Sequence, residues 1–174
     1  ILLRRTREMV MKDLPQRNTQ IIHIPPTEEQ RALHLANARI IASITRKAYI
    51  SEMDLLKLRQ AMMMCRMAAD STYLVDKQGA GYSSKLQTLD ELFEQLFVDG
   101  DHKAVVFSEW TRMLDLIEPL LKKRKVPFVR LEGKVPQTKR QQIVNEFQNN
   151  PKCKVFLSTN AGSTGLNLQA ADTV

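Results

Sequence analysis

The chain has little of what catalytic centres are usually built from. Its two cysteines, Cys65 and Cys153, have no metal-ligand spacing and build no disulfide framework. Its three histidines, His23, His34 and His102, are scattered. No G-x-x-x-x-G-K-[ST] loop is present. Gly133-Lys134 is similar to its tail, but Phe128 stands where the first glycine belongs and Val135 replaces the hydroxyl residue. G-x-G-x-x-G is missing too, which removes the dinucleotide fingerprint. No Ser/His/Asp or Cys/His arrangement can be defended. No catalytic residue and no metal ligand is therefore assigned. Long apolar runs are also lacking, so no membrane-spanning helix is expected. Ile1-Leu2-Leu3 meets Arg4 and Arg5 at once, which is not a signal-peptide core. An intracellular location is the expectation.

What is present is an ordinary hydrophobic content of 43% and a basic balance, +7 over 174 residues. That length allows one full domain or two small ones. The charge is unevenly spread. Residues 1–100 hold 14 Lys/Arg against 12 Asp/Glu, and residues 101–174 hold 12 against 7. The excess gathers in the second half, which favours contact with a polyanion there.

The pattern divides into three parts: 1–26, 27–82 and 83–174. In the first, Gln20 to Ile24 reads as a short strand, closed by Pro25-Pro26. In the second, Thr27 with Glu28 and Glu29 starts a helix to about Tyr49, with Leu33, Ala36, Ile40, Ile41 and Ile44 at helical spacing. Ser51 caps a second helix carrying Met53, Leu56, Leu58, Met62, Met63 and Met67. The methionine cluster at 62–64 suits either a plastic core or helix interface, the favoured reading, or a ligand surface. This block is an α-helical insertion, ending in a loop with Gly79 and Gly81.

In the third part, Ser84 caps a helix with Leu86, Leu89, Leu92, Phe93, Leu96 and Phe97 on one face. Strands and helices then alternate. Ala104 to Phe107, Phe128 to Leu131 and Val155 to Leu157 are strands, and Asp172-Thr173-Val174 opens another. Trp110 to Lys123 and Pro136 to Gln148 are helices. This alternation implies βαβ units and a parallel sheet, an α/β fold.

In a parallel sheet the loops after the strands share one rim. Here they are Ser108 to Thr111, Glu132-Gly133-Lys134, and Ser158 through Gly165. Each precedes a helix or helix-like turn, with its unpaired N–H groups and positive dipole end. Hydroxyls, a lysine and close-approach glycines complete a rim suited to phosphates. The alternative for Ser108, Ser158 and Thr159 is helix capping alone. Three such loops on one rim favour phosphate.

Several blocks, in order, carry a resemblance. They are ILLRRTREMVMKDLP (1–15), the T-x-E-Q-R-A-L helix start within 18–35, the L-x-x-L-R-Q helix within 56–75, and Ser84-Lys85-Leu86. VVFSEWTRMLDLIEPLL (105–121), RLEGKVPQTKRQQIVNEFQ (130–148) and LSTNAGSTGLNLQAADTV (157–174) follow. Together they resemble the second motor lobe of the Swi/Snf-type ATP-dependent DNA translocases, helicase-like proteins of superfamily two. The likeness implies a partial RecA-like parallel sheet flanked by helices, truncated within 83–174. It implies that 27–82 is the protrusion of that lobe and 1–26 an inter-lobe connector.

The resemblance also implies roles. Ser108, Trp110, Gly133, Lys134, Ser158, Thr159, Asn160 and Gly162 would lie along DNA, and Gly165, Leu166 and Asn167 would face the nucleotide cleft. The partner would be double-stranded DNA, held by its backbone without regard to sequence. A first motor lobe, and other protein partners, would complete the machine. ATP and Mg2+ would serve the intact parent, with none bound to this chain. Motif VI should follow Val174 and the Walker motifs should precede Ile1, so this chain alone is expected to have no ATPase activity. Departures from the family are Lys134-Val135 in place of Ser-Thr, Asn160 in place of Arg or Lys, and Gly162-Ser163 in place of Gly-Gly. The short connection at 76–83 favours a compact, prokaryotic member, located at the nucleoid; a eukaryotic member would be nuclear. The rival reading is a non-catalytic α/β scaffold for nucleic acid or protein.

Overall fold

A computed structural model describes residues 18–77, 79–159 and 166–174. Two helices form an arm, and a three-stranded sheet with its helices forms a lobe.

The arm follows from its caps. Helix α1 spans Glu28–Thr45 and α2 spans Glu52–Asp70. Each opens with a reciprocal capping box. Thr27 Oγ1 accepts from the Gln30 amide and Gln30 Oε1 accepts from the Thr27 amide, both at 3.2 Å. Ser51 and Asp54 do the same for α2. The start of α1 meets the end of α2, because Gln30 Nε2 donates to the Ala68 carbonyl at 2.8 Å. The end of α1 meets the start of α2 through the Lys47–Asp54 ion pair at 2.6 Å. The helices are therefore antiparallel.

Their contact is made by small residues. Ala61 and Ala68 are buried on α2, and Ile44 on α1. Asp54, Leu58, Ala61, Cys65 and Ala68 form the inward stripe, at helical spacing. Met53, Leu56, Met62 and Met63 point outward, Met62 being 53% exposed, so Met62 and Met63 of the 62–64 cluster are not core residues. On α1, Ala36 and Ile40 are exposed as well. Two apolar stripes compete on α2, and the alanine stripe wins because it lets the backbones approach closely.

A single turn, α3 (Thr72–Val75), leads to α4 (Ser84–Phe97). The cap of α4 is Ser83, one residue earlier than expected: its hydroxyl accepts from the Leu86 amide at 3.1 Å. The expected strand at Gln20 to Ile24 is not formed. That segment has no ladder partner among the described residues, and Ile21 is 76% exposed. Instead Ile22 and Ile24 line a cavity with Leu89 and Leu92 of α4 and with Val106 and Phe107 in the sheet, without joining the ladder.

The lobe comprises β1 (Ala104–Ser108), α5 (Thr111–Lys123), β2 (Phe128–Leu131), α6 (Gln137–Asn149) and β3 (Val155–Thr159). All three strands are parallel, in the order β1-β3-β2. Thr173 bridges Ala104 in parallel on the far side of β1, where the expected fourth strand begins. The central strand β3 is buried on both faces, which explains its unbroken apolar run. Val155 and Leu157 join Phe93, Met113, Leu114, Ile117 and Leu121 on one face. Phe156 joins Val105, Leu131, Val144, Phe147 and Cys153 on the other. No helix among the described residues is long and apolar enough to cross a membrane.

Candidate nucleic-acid interface

The parallel order puts the ends of β1, β2 and β3 on one rim. Ser108 lies level with Thr159, and Leu131 with Ser158. Strand β3 runs two residues further than its apolar core, so Ser158 and Thr159 belong to the ladder rather than to the loop. Ser158 is fully buried, and its hydroxyl lies 3.0 Å from the Leu131 carbonyl, to which it donates. This hydroxyl ties β3 to β2 and is not on the surface. Thr159 is buried too.

Ser108 is half-buried, and its hydroxyl accepts from the Trp110 amide at 3.2 Å. That turn sets Trp110 at the head of α5. Glu109, between them, is exposed and pairs with Arg66 of α2. The Arg66 guanidinium lies 6.0 Å from the Trp110 ring centroid.

The second loop is a β-turn from Glu132 to Val135, closed by the Val135 amide on the Glu132 carbonyl at 3.0 Å. Arg140, from the first turns of α6, staples it. Its Nε donates to the Val135 carbonyl at 3.0 Å and its Nη2 to the Gly133 carbonyl at 3.1 Å. Lys134 is exposed and enters no ion pair among the described residues. A Cβ built on Gly133 would meet nothing within 4 Å. The fold itself does not demand glycine there.

Behind this turn, Arg130 on β2 reaches Asp115 (2.6 Å), Glu118 (2.8 Å) and Glu132 (2.9 Å). Burial works against its charge, but the bonds to Glu118, Asp115 and Glu132 outweigh this, and its pKa is raised. Arg130 is thus committed to joining β2 to α5.

Two cations at the rim escaped the sequence reading. Arg112 lies in the first turn of α5 and Lys139 in the first turn of α6. Both are exposed, and neither enters an ion pair among the described residues. The signal was available: a helix that follows a parallel strand begins at the rim, so basic residues in its first turn belong there. Neither helix has a side-chain cap, the cap positions being Trp110 and Pro136.

Asn160, Gly162 and Gly165 lie outside the described residues. Leu166 is half-buried and packs on the Phe147–Phe156 side of the sheet. The Asn167 carbonyl accepts from Gln148 Nε2 at 2.7 Å, and the Ala170 amide donates to Gln148 Oε1 at 2.8 Å. Gln148 is about 16 Å along α6 from its rim end, at 1.5 Å per residue. Leu166 and Asn167 are therefore not grouped with Ser108, Trp110, Gly133 and Lys134. The described residues include no cluster of three or more His, Cys, Asp or Glu that could hold a metal. Asn167 is exposed.

The fold is that of a helicase-type C-terminal lobe. The chain belongs to the helicase conserved C-terminal domain family, whose profile matches residues 84–174. Within it, the lobe is of Swi/Snf type. It is 30% identical to the CHD3-type chromatin-remodeling factor PICKLE of Arabidopsis thaliana, over 99% of this chain and 13% of that protein. It is 29% identical to the mouse SWI/SNF-related matrix-associated actin-dependent regulator of chromatin subfamily A member 1, over 99% of this chain and 18% of that one. It is 43% identical to the Saccharomyces cerevisiae chromatin-remodeling ATPase INO80, over 53% of this chain and 6% of that protein. The chain thus spans less than a fifth of each of these relatives. They are plant, mouse and yeast proteins and give no support to a prokaryotic origin.

The fold is shared with the Sulfolobus solfataricus SWI2/SNF2 ATPase C-terminal domain, at TM-score 0.73 and 24% identity, over 86% of this chain and 67% of that one. It is shared also with the SWI2/SNF2 ATPase core of that organism in complex with dsDNA, at TM-score 0.76 and 23% identity, over 95% and 36%.

Proposed function

We propose that this lobe grips the phosphate backbone of double-stranded DNA with its sheet rim, as part of an ATP-driven DNA translocase. The observation that carries the reading is the Gly133–Lys134 turn. It is stapled by Arg140, it displays an exposed lysine, and it keeps open the space where a side chain would stand. A glycine that the fold does not need is explained by a ligand that approaches the backbone closely. Arg112 and Lys139, in the first turns of α5 and α6, add exposed positive charge at the same rim, and the uncapped starts of these helices add amide donors.

Ser108 and Trp110 belong to the same grip, Ser108 through the turn it closes. Ser158 and Thr159 support it from within the ladder. Asn160 and Gly162 complete the DNA side, and Gly165, Leu166 and Asn167 the nucleotide side. ATP bound between this lobe and a first motor lobe would supply the energy of phosphoryl transfer. This chain's residues position DNA and close half of that cleft, and by themselves do not turn over ATP. In a eukaryotic cell the protein would work in the nucleus.

Fluorescence anisotropy of a labelled duplex across a salt series tests the reading. Lys134→Ala should lower the slope of log affinity against log salt by about one unit, as loss of one phosphate contact does. Gly133→Ala should leave the melting temperature unchanged or raised while weakening binding. Preference for one base sequence, or an unchanged slope for Lys134→Ala, would remove the turn from the DNA site.

A further inference from the structure

Glu109 is out of place on a rim that meets a polyanion. It stands between Ser108 and Trp110, and its side chain is 44% exposed. A bare carboxylate there would repel phosphate. The charge is answered from the helical arm, 43 residues away in sequence, where Arg66 of α2 pairs with it. The same guanidinium reaches the Trp110 ring, 6.0 Å from its centroid. Arginine suits both tasks, because its planar fork pairs with a carboxylate while its face lies against an aromatic ring.

We propose that Arg66 is a positioning residue of the DNA grip: it neutralises Glu109 and fixes Trp110, so that the arm sets the state of the rim. The DNA part of this rests on the reading above; the contact with Trp110 does not. The pair is exposed, and Arg66 is 62% accessible, so its effect is modest and screened by salt. It also gives the arm a role beyond packing, since displacement of α2 would uncover an anionic side chain at the rim and release the indole.

Trp110 is the single tryptophan of the chain, so its emission reports the contact directly. The test uses the 174-residue chain with Arg66→Ala, Arg66→Lys, Glu109→Gln and the double variant Arg66→Ala/Glu109→Gln, each checked for native helicity. Without DNA, acrylamide quenching of Trp110 should rise in Arg66→Ala and in Arg66→Lys. Duplex binding at low salt should weaken about fivefold in Arg66→Ala, the scale of one exposed pair, and return to within about twofold of wild type in the double variant. Arg66→Lys should keep most of the binding, and Glu109→Gln should bind as wild type or tighter. Unchanged quenching in Arg66→Ala overturns the contact with Trp110. A double variant as weak as Arg66→Ala overturns the neutralisation. If the wild-type chain does not bind duplex DNA at all, the DNA reading fails, and the quenching alone decides the positioning contact.

Discussion

The arm and the lobe solve the same folding problem in opposite ways. In the lobe, large side chains fill two layers around one strand, and Phe93, Phe147 and Phe156 are at most 1% exposed. In the arm, Ala61 and Ala68 of α2 lie inside with Ile44 of α1, while Met53, Leu56, Met62 and Met63 lie outside. The arm depends instead on saturated polar ends. Both its long helices have capping boxes, and Gln30 gathers the start of α1, the end of α2 and the start of α4. Its Nε2 donates to Ala68, and its Oε1 accepts from the amides of Thr27 and Ser84. Helix starts at the rim reverse this economy, since α5 and α6 have no side-chain cap. Polar ends are closed by side chains in the arm and carry no side-chain cap at the rim, where the proposed function places DNA.

Removing bulk separates the two regions most sharply. Phe156→Ala should destabilise the lobe by about 3–5 kcal/mol, whereas Met62→Ala on the arm should fall within about 0.5 kcal/mol of wild type. Chemical denaturation measures both, and a similar loss for the two would erase the contrast. Next comes the polar hub. Gln30→Ala strands the Ala68 carbonyl and the Ser84 amide and should cost about 1–3 kcal/mol, despite removing no large apolar group. A neutral result would mean that the arm depends on its apolar contacts after all.

The smallest effect is on acid stability. Hydrogen bonds from Lys47 and then from Ser51 hold the Asp54 carboxyl down to about 2. A depressed folded pKa adds stability above the unfolded value of about 3.9, and that stability is lost as pH falls from there toward 2. Circular dichroism should show helix being lost across that window, and Asp54→Asn should reduce the dependence without removing it, because Asp90 and Asp101 are also held low by Arg124 and Lys154. A wild-type profile in that variant would assign the acid response elsewhere.

Most of the fold was legible from local signals. Thr27 and Ser51 announce their helices, and the three short apolar runs with helices between them announce a parallel sheet. The rim followed from topology alone. What stayed hidden was tertiary. Nothing local says that the Ser158 hydroxyl turns to the Leu131 carbonyl, or that alanines rather than methionines face α1. Arg66 and Glu109 meet across 43 residues, a distance at which spacing carries no signal. Arg112 and Lys139 are legible from topology, since each lies in the first turn of a helix that follows a parallel strand.

Helix α6 is fastened at both ends. Near its start Arg140 holds the turn that carries Lys134, and near its finish Gln148 holds Asn167 and Ala170. A helix clamped in this way has the layout of a connecting rod, with one fastening at the turn and the other at the segment 167–170. On the proposed function, load taken from the DNA backbone at the turn would reach the segment at Asn167, some 16 Å away at the spacing of 1.5 Å per residue, through this one helix.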